Sequence, residues 1–372
     1  MDKEKLFSVV QDHFDSKLPF VLYRKPNKEI IRGILQQDDK LYITSSFKEN
    51  GFVFSPFDTD LNAILFPLEK SKIVSGFYFQ SEAEGVEKKD LSELTPENEL
   101  LKNLHLELVQ KGVDSIQNNE LRKVVLSRKE EVKIKEITNG ANIINLFERL
   151  INKYPSAFVY SWYHPSVGLW FGATPESLFS LEKKTFRTMA LAGTQKFEED
   201  TKVIWGEKEK EEQSLVTDFL ESALEKIVPI LMISKPSTVK AGNVIHLKTE
   251  VGGTINTRVC DIPCLIKRLH PTPAVCGLPK EKALNFIKEN ENYDREFYTG
   301  FLGELNYNDE AFEQTEAVSG SFADFYVNLR CMKINKDIAT LFVGGGITKD
   351  SYPEDEWKET VHKTSTMLQI LY

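Results

Sequence analysis

The chain has 372 residues, 41% hydrophobic and 28% charged, the balance of a folded globular protein and not of a disordered, collagen-like or mucin-like one. That length allows two domains or one large one, with a sizeable buried core. Its 56 acidic against 47 basic residues leave a net charge of −9 with no basic patch, so a nucleic-acid partner is not expected.

The opening MDKEKLFSVV has no apolar leader segment, and the longest apolar run, Ile227 to Ile233, contains Pro229. Neither can span or enter a membrane, so a cytoplasmic protein is expected. Cys260, Cys264, Cys276 and Cys331 lack CxxC spacing and read as small buried side chains in a reducing compartment.

Residues 1 to about 95 alternate short β-like runs (Phe20 to Tyr23, Leu41 to Thr44, Ile73 to Phe79) with polar turns such as Lys25-Pro26-Asn27. An acidic, polar stretch from Gln80 to Glu99 suggests a surface connection and a soft boundary, before a helix from about Pro96 to Asn118. Strands are then predicted at Lys123 to Arg128, Ala157 to Trp162, Gly168 to Gly172, Leu178 to Leu181 and Phe186 to Ala192, spaced as antiparallel neighbours. Helices are predicted at about Ile143 to Lys153, Glu207 to Val228, Pro279 to Lys288 and Pro353 to Leu371. Strands in runs with helices in groups make the fold class α+β, with mainly antiparallel sheets flanked by helices.

Several charged residues fall where core residues belong. In the helix from Glu207, the stripe Val216, Phe219, Ala223 and Ile227 extends one turn back onto Glu212, whereas Glu207, Glu209 and Glu211 read as a solvated face. In the last helix Ser351 and Glu354 form a capping-box pattern, and Glu356, Glu359 and Lys363 continue into Met367 and Ile370. The bland alternative for Glu359 and Lys363 is a surface i,i+4 pair. Two helices with inward carboxylates suit a hard cation such as Mg2+. Before the last helix, Leu341 to Ile347 is a strand running into Gly344-Gly345-Gly346, where glycines permit close ligand approach. Lys123 shares a strand face with Val125 and Ser127; it is either a snorkelling strand-end lysine or a desolvated general base. Glu176 follows Ala173-Thr174-Pro175 and taken alone is a turn residue, and His246 in Val244-Ile245-His246-Leu247 reads as a core histidine bonded to backbone sooner than as a metal ligand.

Read together, residues 100 to 372 resemble the chorismate-utilising enzymes, the family of isochorismate, salicylate, anthranilate and aminodeoxychorismate synthases. The motifs come in family order: KVVLSR at Lys123, FGATPE ending at Glu176, LAGTQ at Leu191, KEKEEQ around Glu212, VIHL with His246, LHPTPAVCGLP from Leu269, DREFYTGFLG from Asp294, NLR ending at Arg330, and GGGITKDSYPEDEWKETVHK from Gly344. The resemblance implies one domain over residues 1–372, with 1–99 as a divergent N-terminal part and 100–372 as the catalytic core. It also implies Mg2+ held by Glu212 and Glu359 with Glu356 close by. Substrate carboxylates would be bound by Tyr298, Leu329 with Arg330, Lys363, Gly344 and Gly346, in a pocket lined by Gly193, Thr194 and His246. Lys123 would take a proton from water attacking C2 of the ring, and Glu176 would protonate the departing C4 hydroxyl.

A lysine at position 123 resembles the members that admit water and not ammonia. The HPTPA form ending at Ala274 resembles the menaquinone and siderophore branch, and an alanine there favours stopping at isochorismate over eliminating pyruvate. The implied activity is a Mg2+-dependent isochorismate synthase acting on chorismate, expected as a monomer without an obligate protein partner. A salicylate synthase, an aminating component and a non-catalytic chorismate- or nucleotide-binding module are the alternatives. Gln195, Gln213 and Gly345 depart from the family's commoner arginine, histidine and alanine.

Overall fold

The structure, a computed structural model, describes residues 1–78, 98–196, 203–241, 244–307 and 321–372, without the side chains of Thr194, Lys196, Lys208, Ala241 and Val244. Period-two alternation organises it. In β8 (Phe158–His164) Phe158, Tyr160 and Trp162 enter one core cluster while Val159 enters another, as a strand covered on both faces requires.

Two sheets result, and every pairing among the described residues is antiparallel. The nine-stranded sheet runs β15 (Gly277–Leu278), β7 (Lys123–Lys133), β19 (Ile338–Ile347), β18 (Cys331–Asn335), β9 (Gly168–Thr174), β8, β1 (Phe20–Arg24), β2 (Ile30–Gln36), β6 (Ser71–Phe77). The ten-stranded sheet runs β12 (Leu231–Ile233), β14 (Val244–Thr254), β11 (Thr185–Lys196), β10 (Ser177–Glu182), β17 (Phe322–Val327), β16 (Phe301–Leu305), β4 (Gly51–Ser55), β5 (Ala63–Pro67), β3 (Tyr42–Thr44), with β13 (Ser237–Ala241) also on β14. Residues before 79 thus add strands to both sheets. An aromatic layer joins the sheets face to face; in it Phe54 stacks on Phe297 at 4.2 Å and Phe66 on Trp162 at 5.1 Å. Each such buried ring contributes about 2 kcal/mol through apolar burial alone.

Helices cover the outer faces. The nine-stranded sheet packs against α1 (Lys3–Asp15), α3 (Gly140–Lys153) and the C-terminal α7 (Pro353–Leu371). The ten-stranded sheet packs against α4 (Glu207–Leu224) and α5 (Ile262–Leu269), and α2 (Glu99–Gln117) with α6 (Lys280–Asn290) close the β7 edge. The α+β architecture of packed antiparallel sheets is therefore as the sequence implied.

Local details differ from the expectations. Helix α1, capped by Asp2 accepting from the Lys5 amide, and the short α5 stand where no helix was expected. Helix α4 ends at Leu224 and not Val228, since Pro229 disfavours helical backbone before it. The Ser351/Glu354 capping box does not form: Tyr352 is the cap, and the Ser351 hydroxyl instead donates to Glu356 Oε1 at 2.6 Å. Cys276 and Cys331 are buried thiols, but Cys260 and Cys264 are joined in a disulfide at the start of α5, correcting the reading of all four as free. The soft boundary from Gln80 falls almost entirely outside the described residues. No helix among the described residues is long and apolar enough to cross a membrane.

The chain passes from the nine- to the ten-stranded sheet between β9 and β10, and back again between β17 and β18. These two links lie side by side, for the Val327 amide donates to the Glu176 carbonyl at 2.9 Å and the Ala173 amide to the Arg330 carbonyl at 3.0 Å. Glu176 and Arg330 are thereby placed at a common seam between the sheets.

Candidate active site at the seam

β7 and β19 pair so that Gly346 faces Val125 and Gly344 faces Ser127. Glycine is needed here because side chains crowd the strand from several elements. A Cβ on Gly346 would stand 2.6 Å from Glu212 Oε1 and 3.1 Å from Lys123 Cε; one on Gly345 would stand 3.2 Å from Glu356 Oε2 and 3.9 Å from Glu359 Oε1; one on Gly344 would meet the Tyr298 hydroxyl at 3.0 Å. The glycine strand is therefore met by Lys123 from β7, Glu212 from α4 and Tyr298 from the loop before β16 at Gly346 and Gly344, and by Glu356 and Glu359 from α7 at Gly345, whose Cβ direction alternates to the other face.

Lys123 is fully buried, and its ammonium donates to Glu212 Oε1 at 2.9 Å. The snorkelling alternative therefore fails: the nitrogen points into the protein. Helix α4 is fixed beside it by Gln213, whose amide nitrogen donates to the Ala190 carbonyl at 3.1 Å and to Thr249 Oγ1 at 3.0 Å. This departure from the family's usual histidine anchors the turn that carries Glu212 to β11 and β14.

At the seam Glu176 is 5% exposed, and burial pushes its carboxyl up to about 7 despite the opposing charges of Lys123 and Arg330. A glutamic acid that keeps its proton near neutral pH and faces two cations is equipped to donate. Arg330 adopts φ +46° and donates from Nη2 to His246 Nε2 at 3.0 Å. Because arginine only donates, His246 accepts at Nε2 and gives its Nδ1 proton to the Gly193 carbonyl, 3.1 Å away. Burial and Arg330 lower the imidazole to about 3, which keeps it neutral for that role. His246 is thus bonded to backbone, and it also braces Arg330. Gly193 sits at a bulge in β11 with φ +72°, and a Cβ there would lie 3.1 Å from that of Glu209.

Lys363 donates to the Gly344 carbonyl at 2.9 Å and pairs with Glu359 at 2.6 Å, about a third of each side chain remaining exposed. The i,i+4 ion pair read as the bland alternative is present, and through Lys363 it is tied to the glycine strand. Burial pushes the Tyr298 phenol above its ordinary range, so it stays a donor.

Other expected residues lie apart from this polar group. Ala274 packs against the core beneath the ten-stranded sheet, and Leu329 bridges that core and the aromatic layer. Thr194 pairs with His246 across β11 and β14, with its side chain outside the described residues. Gln195 donates to the Ile204 carbonyl away from the site. Glu291 and Arg295 form a buried ion pair, and opposite charges four residues apart at the DREFYTG motif are its signal in the sequence.

Among the described residues, no three acidic, histidine or cysteine groups stand close enough together to hold a metal ion. The three carboxylates against Gly345 and Gly346 still suit a hard cation in donor chemistry, being all oxygen.

Comparison with known proteins places this geometry. The chain is 31% identical over 261 residues to the isochorismate synthase EntC of Escherichia coli K12, covering 67% of this chain and 62% of that protein, so the match spans less than two thirds of the relative's length. The solved structure of MenF, the menaquinone-specific isochorismate synthase of Escherichia coli, superposes with a TM-score of 0.77 at 22% identity, covering 100% of this chain and 92% of that one. Anthranilate synthase component I from Streptococcus pneumoniae superposes at 0.64 and 21% identity over 94% and 92%, so the fold alone is shared across different chemistries. A family model described as chorismate binding enzyme matches residues 64–372, from β5 through the glycine strand to α7, and with it the chain belongs to the chorismate-binding enzyme family.

Proposed function

We propose that this chain is an isochorismate synthase, converting chorismate reversibly to isochorismate with Mg2+. The observation that carries the reading is Glu176, a buried carboxyl at about 7 facing Lys123 and Arg330, together with identity to isochorismate synthases. Lys123 takes a proton from the water that attacks C2 of the ring. Glu176 gives its proton to the C4 oxygen, which leaves as water while the ring double bonds shift. One water enters and one departs, so the product is an isomer. Arg330 and Lys363 hold the substrate's carboxylates with Tyr298 as a neutral donor, and the glycine strand lets them approach. Glu212, Glu356 and Glu359 would hold Mg2+, which when bound supplies positive charge to orient a substrate carboxylate. Ala274 favours stopping at isochorismate.

The test is incubation of the purified chain with chorismate and Mg2+, with and without chelator and with and without an ammonium salt, followed by chromatography and NMR of the products. Isochorismate in equilibrium with chorismate, lost on chelation, supports the reading. Salicylate with pyruvate overturns the role given to Ala274, an amino product overturns water as nucleophile, and no turnover overturns the activity.

A further inference from the structure

Strand β7 carries Lys123 yet among the described residues has only a two-residue neighbour on its outer side. β15 pairs Gly277 with Val124 and Leu278 with Lys123 and then ends, and the Val125 amide takes one further bond, to the Cys276 carbonyl at 2.8 Å. Beyond that point the edge groups of β7 are buried and need partners. They find them in side chains. Arg295 Nη2 donates to the Val125 carbonyl at 2.7 Å, and the Ser127 amide donates to Glu291 Oε1 at 2.8 Å. The two side chains are 2% and 1% exposed and joined twice, Nε to Oε2 at 2.7 Å and Nη2 to Oε1 at 2.5 Å.

The same guanidinium reaches two other segments of the site. Its Nη1 donates to the Val275 carbonyl, next to Ala274, at 3.0 Å, and to Thr299 Oγ1, next to Tyr298, at 3.2 Å. Phe57 covers it at 4.5 Å. The Ser127 hydroxyl completes the group, 2.9 Å from Glu291 Oε1 and 2.6 Å from the Tyr293 hydroxyl.

We propose that Glu291 and Arg295 are positioning residues: the pair stands in for the missing length of edge strand beside β7 and holds Lys123, the Ala274 loop and Tyr298 in one register. A fork of parallel donors and acceptors is rigid in a way a loop is not. The inference rests on the reading of Lys123 as the base, and it predicts a defect in turnover larger than in substrate binding, because the cationic partners of the substrate, Arg330 and Lys363, lie outside this network and only the neutral donor Tyr298 lies within it.

The test uses the full chain with Glu291→Gln, which keeps an oxygen for the Ser127 amide but removes the charge facing Arg295, and Arg295→Lys, which keeps the charge but not the fork. For Glu291→Gln, kcat for chorismate is expected to fall about tenfold or more with KM within about twofold, and for Arg295→Lys, which loses the fork reaching Val125, Val275 and Thr299, to fall at least as far. Amide hydrogen exchange over residues 124–128 should quicken in both, with the β1–β2 amides unchanged. If Glu291→Gln fails to fold, Arg295→Lys carries the same comparison. Unchanged kcat in a folded variant, or kcat and KM lost in proportion, overturns the proposal. Should the wild-type chain not turn over chorismate, the functional reading fails by itself. Exchange then decides the inference: quickened 124–128 amides sustain the register role, and unchanged ones overturn it.

Discussion

Glu304 and Glu176 are both buried glutamates, 1% and 5% exposed, in opposite company. Glu304 lies between the sheets in the company of two cations: Tyr23 and Arg32 donate to its Oε1 at 2.6 and 3.3 Å, and the Lys25 ammonium pairs with its Oε2 at 2.5 Å and with Asp324 at 2.8 Å. Glu176 at the seam feels Lys123 and Arg330 only through space, and burial dominates. The contrast separates two uses of a buried carboxyl. In direct contact with cations a buried carboxyl cross-links two sheets, and held away from them it keeps its proton to higher pH.

The largest expected effect comes from exchanging the charge at the seam. Glu176→Gln and Lys123→Ala should each lower turnover of chorismate by about 100-fold or more, as loss of a general acid or base does, while denaturant unfolding shows Glu176→Gln no less stable than the parent. Glu304→Gln should show the reverse: about 3 kcal/mol lost in unfolding free energy, because Arg32 and Lys25 are left without their shared partner, with kcat altered less than about threefold. A seam variant that unfolds the protein, or a Glu304 variant that stops turnover without destabilising, would erase the distinction.

A smaller effect sharpens it through pH. The folded chain holds the Glu176 proton to about 7, against about 4.5 when the carboxyl is free, so between those values the native state binds more protons than the unfolded one. Stability contributed by this group is present below about 4.5, declines as pH rises to about 7 and is flat above. Subtracting the Glu176→Gln curve from the wild-type curve isolates that slope, since the opposite contribution of His246, lost as pH falls toward about 3, is common to both chains. A flat difference would show that the carboxyl is already ionised at neutral pH. The smallest effect is on the partly exposed Glu359–Lys363 pair. Glu359→Gln should change stability by less than about 0.5 kcal/mol yet weaken Mg2+ binding measured by calorimetry, and an unaltered isotherm would remove Glu359 from the metal.

Much of this was legible because the pattern was periodic. The stripe through Val216 points Glu212 at the core side of α4, and the strand before Gly344 was readable from its apolar run; both stand as expected. Helix α1 escaped notice although Leu6, Phe7 and Val10 face the core and Asp2 caps it, because the surrounding strand signals dominated. Helix α5, eight residues with Pro263 in its first turn, is too short for a periodic signal. The Cys260–Cys264 bond leaves no mark in the cysteine count, which is too low for a disulfide framework, and its first member lies outside α5. What no local pattern encodes is the seam. Glu176 reads as a turn residue until its link is seen beside that of Arg330, and only the pairing of β10 with β17 and of β9 with β18 brings them together.

That pairing also bears on how the protein assembles. β9 and β10 form one long ribbon with β18 and β17, threading from one sheet into the other, and its middle is where Glu176 and Arg330 sit. Neither half of the sandwich contains a working portion of the site, and the ribbon can close only after a stretch of chain spanning most of the C-terminal half has been gathered in, a slow, non-local event. Turnover should therefore be the last property to return on refolding, later than helical content or burial of tryptophan, which makes enzymatic competence a proofreading signal for the mating of the two sheets.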